Sequence, residues 1–223
     1  MELIEYPDAE MMMIDLANRL AGQLRQALSA RDIVSFAVPG GTTPGPVFDA
    51  LCAANLDWAR VRVLPTDERW VPQTSPRSNA RLIREHLLTG RAEAATLIPL
   101  SSDAATPEEG LEALTQNLLP VLPLSVALLG MGADMHTASL FPGADQLQAA
   151  LHGDAPLVAI HAPGAPEPRV TLSARVLNDA MSLHVVITGD DKRAALDRAR
   201  NLPPEQAPIA AVLSGATVHW AAN

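Results

Sequence analysis

The chain has 223 residues, of which 48% are hydrophobic, 18% charged and only 3% aromatic, and its formal net charge is −9. This composition excludes an intrinsically disordered chain, and the acidic charge argues against a nucleic-acid-binding protein, which needs a clustered basic surface. Cys52 is the single cysteine, so no internal disulfide can form. No apolar run reaches the ~20 residues of a membrane span, and residues 1–10 show no signal-peptide pattern. We therefore expect a cytoplasmic protein that folds as one α/β domain over residues 1–223.

Short apolar runs alternate with helical patterns along the chain. Leucines recur every fourth residue from Leu16 to Leu28 and predict an N-terminal helix. Capping residues predict five more helices, which start at Thr43-Pro44 (to about 54), Ser78 or Asn79 (to 88), Thr106-Pro107 (toward 119), Ser173 (to 181) and Gly189 (to 199). Strands are predicted at 33–39, 61–65, 124–130, 156–160, 183–189 and 209–215. Because these strands are apolar almost throughout, they indicate a three-layer, Rossmann-like α/β fold: a mainly parallel twisted sheet with helices on both faces.

The first predicted strand runs into a glycine loop, PGGTTPG at 39–45. Gly40 and Gly41 let the backbone approach a ligand closely, and Thr42 and Thr43 add hydroxyl groups. The helix start that follows offers free N–H groups, which bind anions well. An ordinary strand–turn–helix junction explains the same residues equally well. The loop lacks the Gly-Lys-Ser/Thr of a Walker A motif, so it does not indicate a nucleotide triphosphate.

Three consecutive charges, Asp67, Glu68 and Arg69, follow the second predicted strand. Charges at the end of a buried strand are costly unless they face a cleft or pair with each other. Ligand crevices in open α/β sheets lie at the carboxyl ends of the strands, so these residues are candidates for a binding site. A solvated loop with a local ion pair between Asp67 and Arg69 is the alternative.

The third apolar run ends in LLGMGADMHTASLFP, which places Asp134 and His136 directly behind a buried strand. A carboxylate two residues away can accept the proton on Nδ1 of the imidazole and leave Nε2 free as a general base. A serine nucleophile is disfavoured because no Gly-x-Ser-x-Gly motif is present. The six histidines lack metal-ligand spacing, and Met135 stands where a dinucleotide fingerprint needs its third glycine, so neither a metal nor NAD is expected. A histidine that merely satisfies a helix start remains the structural alternative.

Four motifs, PGGTTP, TDERWVP with Ser78-Asn79, LLGMGADMHTASLFPG and RVTLS at 169–173, occur in an order that resembles the 6-phosphogluconolactonases, which are related to glucosamine-6-phosphate deaminases. The resemblance spans nearly the whole chain. It implies hydrolysis of 6-phospho-D-glucono-1,5-lactone to 6-phospho-D-gluconate in the oxidative pentose phosphate pathway, with no metal and no organic cofactor. It also implies a role for each of ten residues: His136 and Asp134 as the catalytic pair, Gly40, Gly41, Thr42, Thr43, Arg169 and Lys192 around the phosphate, and Asp67 and Arg69 beside the sugar.

Two positions depart from the pattern of that family. Met135 replaces the usual glycine between the aspartate and the histidine, and a positive φ there would cost about 1–2 kcal/mol. Arg77 stands where an acidic residue commonly precedes Ser-Asn. The first departure can reshape the turn between Asp134 and His136, whereas the second bears on the role of the loop at Arg77 and not on that pair.

Two other functions remain open. The first is a glucosamine-6-phosphate isomerase/deaminase in which Asp67 moves the proton. The second is a non-catalytic sugar-phosphate sensor, which would need an attached DNA-binding module for which the stretch before the glycine loop leaves no room. The expected partner is a sugar phosphate, with no nucleic acid and no membrane, and we expect a monomer.

Overall fold

A computed structural model describes all residues 1–223 as ten β-strands and seven α-helices. The strands are β1 (Glu2–Tyr6), β2 (Val34–Val38), β3 (Val61–Pro65), β4 (Asp67–Arg69), β5 (Thr96–Leu97), β6 (Val126–Gly130), β7 (Leu157–Ile160), β8 (Arg169–Leu172), β9 (Ser182–Thr188) and β10 (Thr217–Ala221). The helices are α1 (Ala9–Ala30), α2 (Gly45–Leu51), α3 (Asn79–Leu82), α4 (Pro107–Leu118), α5 (Leu147–His152), α6 (Ala174–Asn178) and α7 (Asp190–Ala199). None of these helices combines the length and the apolarity needed to cross a bilayer.

Seven strands form one parallel sheet in the order β1-β10-β9-β6-β2-β3-β5. Successive residues of a strand point to opposite faces, and each face has its own hydrophobic core. On one face, Ala37 and Leu129 pack in a cluster that includes residues of α4 to α7; on the other, Phe36 and Leu128 pack with α1 and α2. The predicted α/β fold, with a mainly parallel sheet between two layers of helices, is confirmed.

The remaining strands form a small antiparallel sheet in the order β4-β8-β7. The run at 156–160 was predicted as a strand of the main sheet, and this is wrong: it forms β7, in the small sheet. The register sets Asp67 opposite Thr171 and Arg69 opposite Arg169. The small sheet thus joins two sequence motifs that lie a hundred residues apart.

The predicted strand at 209–215 is also wrong. This segment forms two 3-10 turns, Pro208–Ala211 and Leu213–Gly215, and the last strand, β10, begins only at Thr217. Proline at the start favours a tight turn, because it fixes φ and has no N–H to donate to a strand ladder. Ile209 and Leu213 are buried in the core, so their apolar character reflects burial rather than a strand.

The helix caps are confirmed in part. Thr106 caps α4 through its side chain, which accepts a hydrogen bond from the N–H of Glu109, and Ser78 caps α3 in the same way. Thr43 is not a cap: α2 starts one residue later than predicted, after Pro44, and no side chain caps it. Helices α2 and α6 also end early, at Leu51 and Asn178, and the helix predicted to reach 88 is α-helical only to Leu82 and continues as a π-helix over Ile83–Leu87.

Candidate active site

A cleft of about 270 Å³ lies where the carboxyl ends of β2 and β6 meet the small sheet. It contains every site residue predicted from the sequence except Asp134, which sits behind His136. The predicted residues that line it are Gly40, Gly41, Thr42, Thr43, Asp67, Arg69, His136, Arg169 and Lys192. Asn79 and Gly132 also line it, and neither was predicted as a site residue. Six separate segments of the chain thus meet in one small volume.

The turn after β6 holds the imidazole against a carboxylate. Nδ1–H of His136 donates to Oδ1 of Asp134 at 2.5 Å, which leaves Nε2 as the free basic nitrogen. The N–H of Gly132 closes the turn by donating to the carbonyl of His136 at 3.0 Å. A Cβ on Gly132 would lie 2.2 Å from Nδ1 of His136 and 2.4 Å from Oδ1 of Asp134, so only glycine fits there.

Met135 lies in the left-handed region, with φ of 67°, as the departure from glycine suggested. Two backbone hydrogen bonds support this conformation: its N–H donates to Gly132, and its carbonyl accepts from Ile209 at 3.0 Å. The Met135 side chain is partly buried and packs against the core. The 3-10 turn at 208–211, mispredicted as a strand, therefore supports the turn that carries His136.

An aromatic ring joins His136 to the cationic side of the cleft. The rings of His136 and Phe141 stack with centroids 4.1 Å apart, and the guanidinium of Arg169 lies 5.1 Å from the Phe141 centroid. Stacking of this kind restricts the rotation of the imidazole and favours a cation over the ring. Phe141 was not predicted as a site residue, because its sequence position does not reveal which side chains it stacks on.

Asp67 and Arg169 form a buried charged pair linked by a serine. Their side chains are 8% and 10% exposed, with 3.6 Å between Oδ2 of Asp67 and Nη1 of Arg169. The Ser139 hydroxyl donates to Oδ2 of Asp67 at 2.5 Å and accepts from Nη1 of Arg169 at 3.4 Å. Burial lowers the pKa of Arg169, and Asp67 opposes that shift. Ser139 thus links the segment after His136 to β4 and β8 of the small sheet.

Arg69 lies across the ladder from Arg169 and adds a second guanidinium. The positive charge of Arg69 also lowers the pKa of Arg169, because like charges repel. The Nε atoms of both are buried and have no hydrogen-bond acceptor in the protein. Like charges held together in this way favour an anion between them.

Arg77 contacts both Arg69 and the loop before β8 at the edge of the cleft. Its carbonyl accepts a hydrogen bond from Nη1 of Arg69 at 2.5 Å, and its guanidinium pairs with Glu167 in the loop before β8. Arg77 lowers the pKa of Glu167, and Arg169 and Arg69 act in the same direction. Arg77, which departs from the family pattern, therefore connects two loops at the edge of the cleft.

The glycine loop and Lys192 complete the cleft on the side of the main sheet. Gly41 has φ of 85°, a conformation that other residues rarely adopt. The Thr43 hydroxyl does not cap α2, and Thr42 is exposed. Lys192, the only lysine of the chain, lies in the first turn of α7. Although the net charge of the protein is −9, three cationic side chains, Arg69, Arg169 and Lys192, line one cleft together with the hydroxyl and amide groups of the glycine loop.

Comparison with known proteins gives a consistent result. The family model for glucosamine-6-phosphate isomerases/6-phosphogluconolactonase matches residues 7–220. The chain is 42% identical to a 6-phosphogluconolactonase of Mesorhizobium japonicum, over 97% of this chain and 93% of that protein. It is 41% identical to a 6-phosphogluconolactonase of Pseudomonas aeruginosa, over 92% of this chain and 88% of that protein. The crystal structure of a 6-phosphogluconolactonase from Shewanella baltica superposes with a TM-score of 0.96 at 33% identity, covering 99% of this chain and 97% of that one. The chain therefore belongs to the glucosamine-6-phosphate isomerase/6-phosphogluconolactonase family.

Proposed function

We propose that this protein is a 6-phosphogluconolactonase, which hydrolyses 6-phospho-D-glucono-1,5-lactone to 6-phospho-D-gluconate in the oxidative pentose phosphate pathway. The observation that carries the proposal is the meeting, in one cleft, of an imidazole oriented by a carboxylate with a cluster of cations and loop amides. Relatives that share about two fifths of its residues over nearly the whole chain have this activity in their names.

The phosphate of the substrate binds at the cationic side of the cleft. Arg169 and Lys192 supply positive charge, and the glycine loop supplies N–H groups and the hydroxyls of Thr42 and Thr43. An anion also relieves the repulsion between Arg69 and Arg169. Asp67 and Arg69 face the sugar. Holding the phosphate places the lactone carbonyl beside His136, and orientation of this kind lowers the barrier by several kcal/mol.

His136 acts as the general base. Asp134 holds the proton on Nδ1, so Nε2 takes a proton from a water molecule as the water oxygen attacks the carbonyl carbon of the lactone. The tetrahedral intermediate then collapses, the bond from the carbonyl carbon to the ring oxygen breaks, and the imidazolium returns the proton to that oxygen. The products are the free sugar hydroxyl and the carboxylic acid, which releases its proton to solvent and becomes the carboxylate, with the enzyme unchanged. No protein group becomes covalently attached to the substrate.

The two other functions are less well supported. A deaminase needs Asp67 free to move a proton between carbons, but here Thr66 donates to Oδ1 of Asp67 and Ser139 donates to Oδ2. A carboxylate with both oxygens engaged is poorly placed for proton transfer. A non-catalytic sensor has no need for the paired Asp134 and His136.

The decisive assay generates the lactone freshly and couples 6-phosphogluconate formation to its dehydrogenase, with spontaneous hydrolysis subtracted. We expect turnover of the phosphorylated lactone well above background and no ammonia release from glucosamine-6-phosphate. Ammonia release would support the deaminase. Heat stabilisation by 6-phosphogluconate without any lactone turnover would support the sensor.

We also propose that the enzyme works as a monomer in the cytoplasm and needs neither a metal nor an organic cofactor. The single cysteine, Cys52, is unpaired, which fits a reducing compartment. Light scattering on a size-exclusion column tests the monomer, and turnover that is unchanged after dialysis against a chelator tests the independence from metals. A stable dimer or a loss of activity would reject these two statements.

A further inference from the structure

Glu68 is a buried carboxylate on the side of β4 that faces away from the cleft. Its neighbours in the strand, Asp67 and Arg69, line the cleft, whereas Glu68 is 0% exposed. Side chains alternate along a strand, so the middle residue of the three must point the other way. A charged group in such a place needs a complete set of hydrogen bonds.

The partners of Glu68 lie at the start of α3. Its Oε1 accepts from the N–H groups of Arg69 and Asn79, at 2.9 and 2.8 Å. Its Oε2 accepts from the N–H of Ala80 at 2.7 Å and from the Ser78 hydroxyl at 3.0 Å. Three of the four donors therefore belong to residues 78–80, and the carboxylate fastens the first turn of α3 to β4.

Asn79 connects that turn to the cleft. Its side chain lines the cleft although the residue is only 2% exposed, and its Nδ2 donates to the carbonyl of Asp67 at 2.7 Å. Its amide also occupies the space beside Gly40: a Cβ on Gly40 would lie 2.0 Å from Oδ1 of Asn79. Asn79 is thus wedged between the strand that carries Asp67 and the glycine loop.

We propose that Glu68 and Asn79 are positioning residues that set the distance between the glycine loop and the cleft wall formed by Asp67 and Arg69. Glu68 holds the backbone of Asn79, and the Asn79 amide braces Gly40. Neither residue takes part in proton transfer. This inference rests on the proposed function, because it treats the glycine loop as the seat of the substrate phosphate.

Two substitutions test this inference. Glu68→Gln keeps the size of the side chain but replaces an acceptor oxygen with an NH₂ group that faces N–H donors. Asn79→Ala removes the brace and leaves Glu68 in place. For each variant we expect KM for the phosphorylated lactone to rise about tenfold or more and kcat to fall less, because a misplaced anchor mainly weakens binding. The dissociation constant of inorganic phosphate, measured by calorimetry, should rise in parallel. Glu205→Gln, which removes a surface carboxylate paired with His152, is the matched control and should leave all three values unchanged.

The outcomes separate a positioning role from a purely structural one. If folded Asn79→Ala protein keeps wild-type KM and phosphate affinity and is only less heat-stable, the proposal is overturned. A fall in kcat alone overturns it too, since the loop would then be in place. If Glu68→Gln does not fold, Asn79→Ala decides alone. If the wild type does not hydrolyse the lactone, the proposed function fails, and phosphate affinity still tests the positioning pair.

Discussion

Acidification from pH 7 to pH 5 is expected to destabilise the protein through two histidines buried beneath α1, far along the chain from His136. His184 in β9 and His219 in β10 are 3% and 0% exposed, and their rings share a hydrogen bond of 2.9 Å between Nδ1 of His184 and Nε2 of His219. Nδ1 of His219 lies 2.9 Å from the Tyr6 hydroxyl, which donates to Asp15. An extra proton on a shared nitrogen would turn a donor–acceptor contact into a contact between two donors.

The size of the effect follows from the two pKa values. Burial lowers the pKa of His184 to about 4 and that of His219 to about 3, against about 6.5 in the unfolded chain. Because the folded pKa values are depressed, the unfolded state binds more protons below pH 6.5, and stability falls as the pH falls. At pH 5, about 1.5 units below the unfolded pKa, each histidine is mostly protonated in the unfolded chain but mostly neutral in the folded one. This difference lowers the free energy of unfolding by about 2 kcal/mol per histidine, at 1.36 kcal/mol per unit. The pair therefore costs about 4 kcal/mol between pH 7 and pH 5, a large part of a typical folding free energy.

Urea unfolding followed by circular dichroism at pH 7, 6 and 5 measures this loss. The control is the double variant His184→Gln/His219→Gln, which keeps polar side chains but cannot take up protons in this range. The quantity compared is the change in unfolding free energy between pH 7 and pH 5, not the stability at pH 7. The reasoning is refuted if the wild type loses less than about 1 kcal/mol, or if the double variant loses as much as the wild type.

Three substitutions in the cleft or in the turn that carries His136 have separate expected outcomes. Arg169→Ala should raise KM for the phosphorylated lactone about tenfold or more, and steady-state kinetics with an unchanged KM would reject Arg169 as an anchor. Gly132→Ala should lower kcat about tenfold or more, because the new Cβ would lie 2.2 Å from the His136 imidazole. The control for the unfolding free energy of Gly132→Ala is Gly130→Ala, because a Cβ added at Gly130 would have no atom within 4 Å. Met135→Gly should change that free energy by no more than about 1 kcal/mol, since relief of left-handed strain offsets lost packing, and should leave kcat unchanged. A tenfold fall in kcat would show that the methionine side chain itself holds the turn.

The sequence revealed those parts of the fold that depend on local pattern. Apolar runs such as 33–39 and 61–65 became β2 and β3 because the central strands of a parallel sheet are buried on both faces. The same rule failed at 209–215, where apolar residues cover the core from 3-10 turns. It missed β10, because His219 and Trp220 break the apolar pattern, and the contacts with His184 and Tyr6 that explain a buried histidine there come from other strands.

The candidate site could be predicted where the interacting residues lie close together in the sequence. The pair of Asp134 and His136 forms within a single turn, so adjacent residues were enough to suggest it. Phe141, Ser139 and Asn79 were missed as site residues, because each matters through side chains that are distant in sequence. Ser139, for example, meets Asp67 across 72 positions of the chain. Such contacts are set by tertiary packing, which no local pattern contains.

The most direct test of the central claim is the turnover number of His136→Ala beside that of His161→Ala. Both variants remove a histidine that is paired with an aspartate, but His161 contacts Asp145 at 2.9 Å and does not line the cleft. We predict that His136→Ala lowers kcat for the lactone at least ~10²-fold with an unchanged melting temperature, while His161→Ala keeps wild-type turnover. A folded His136→Ala enzyme with turnover close to that of the wild type would contradict the account, because the imidazole at the centre of the cleft would then have no part in the reaction.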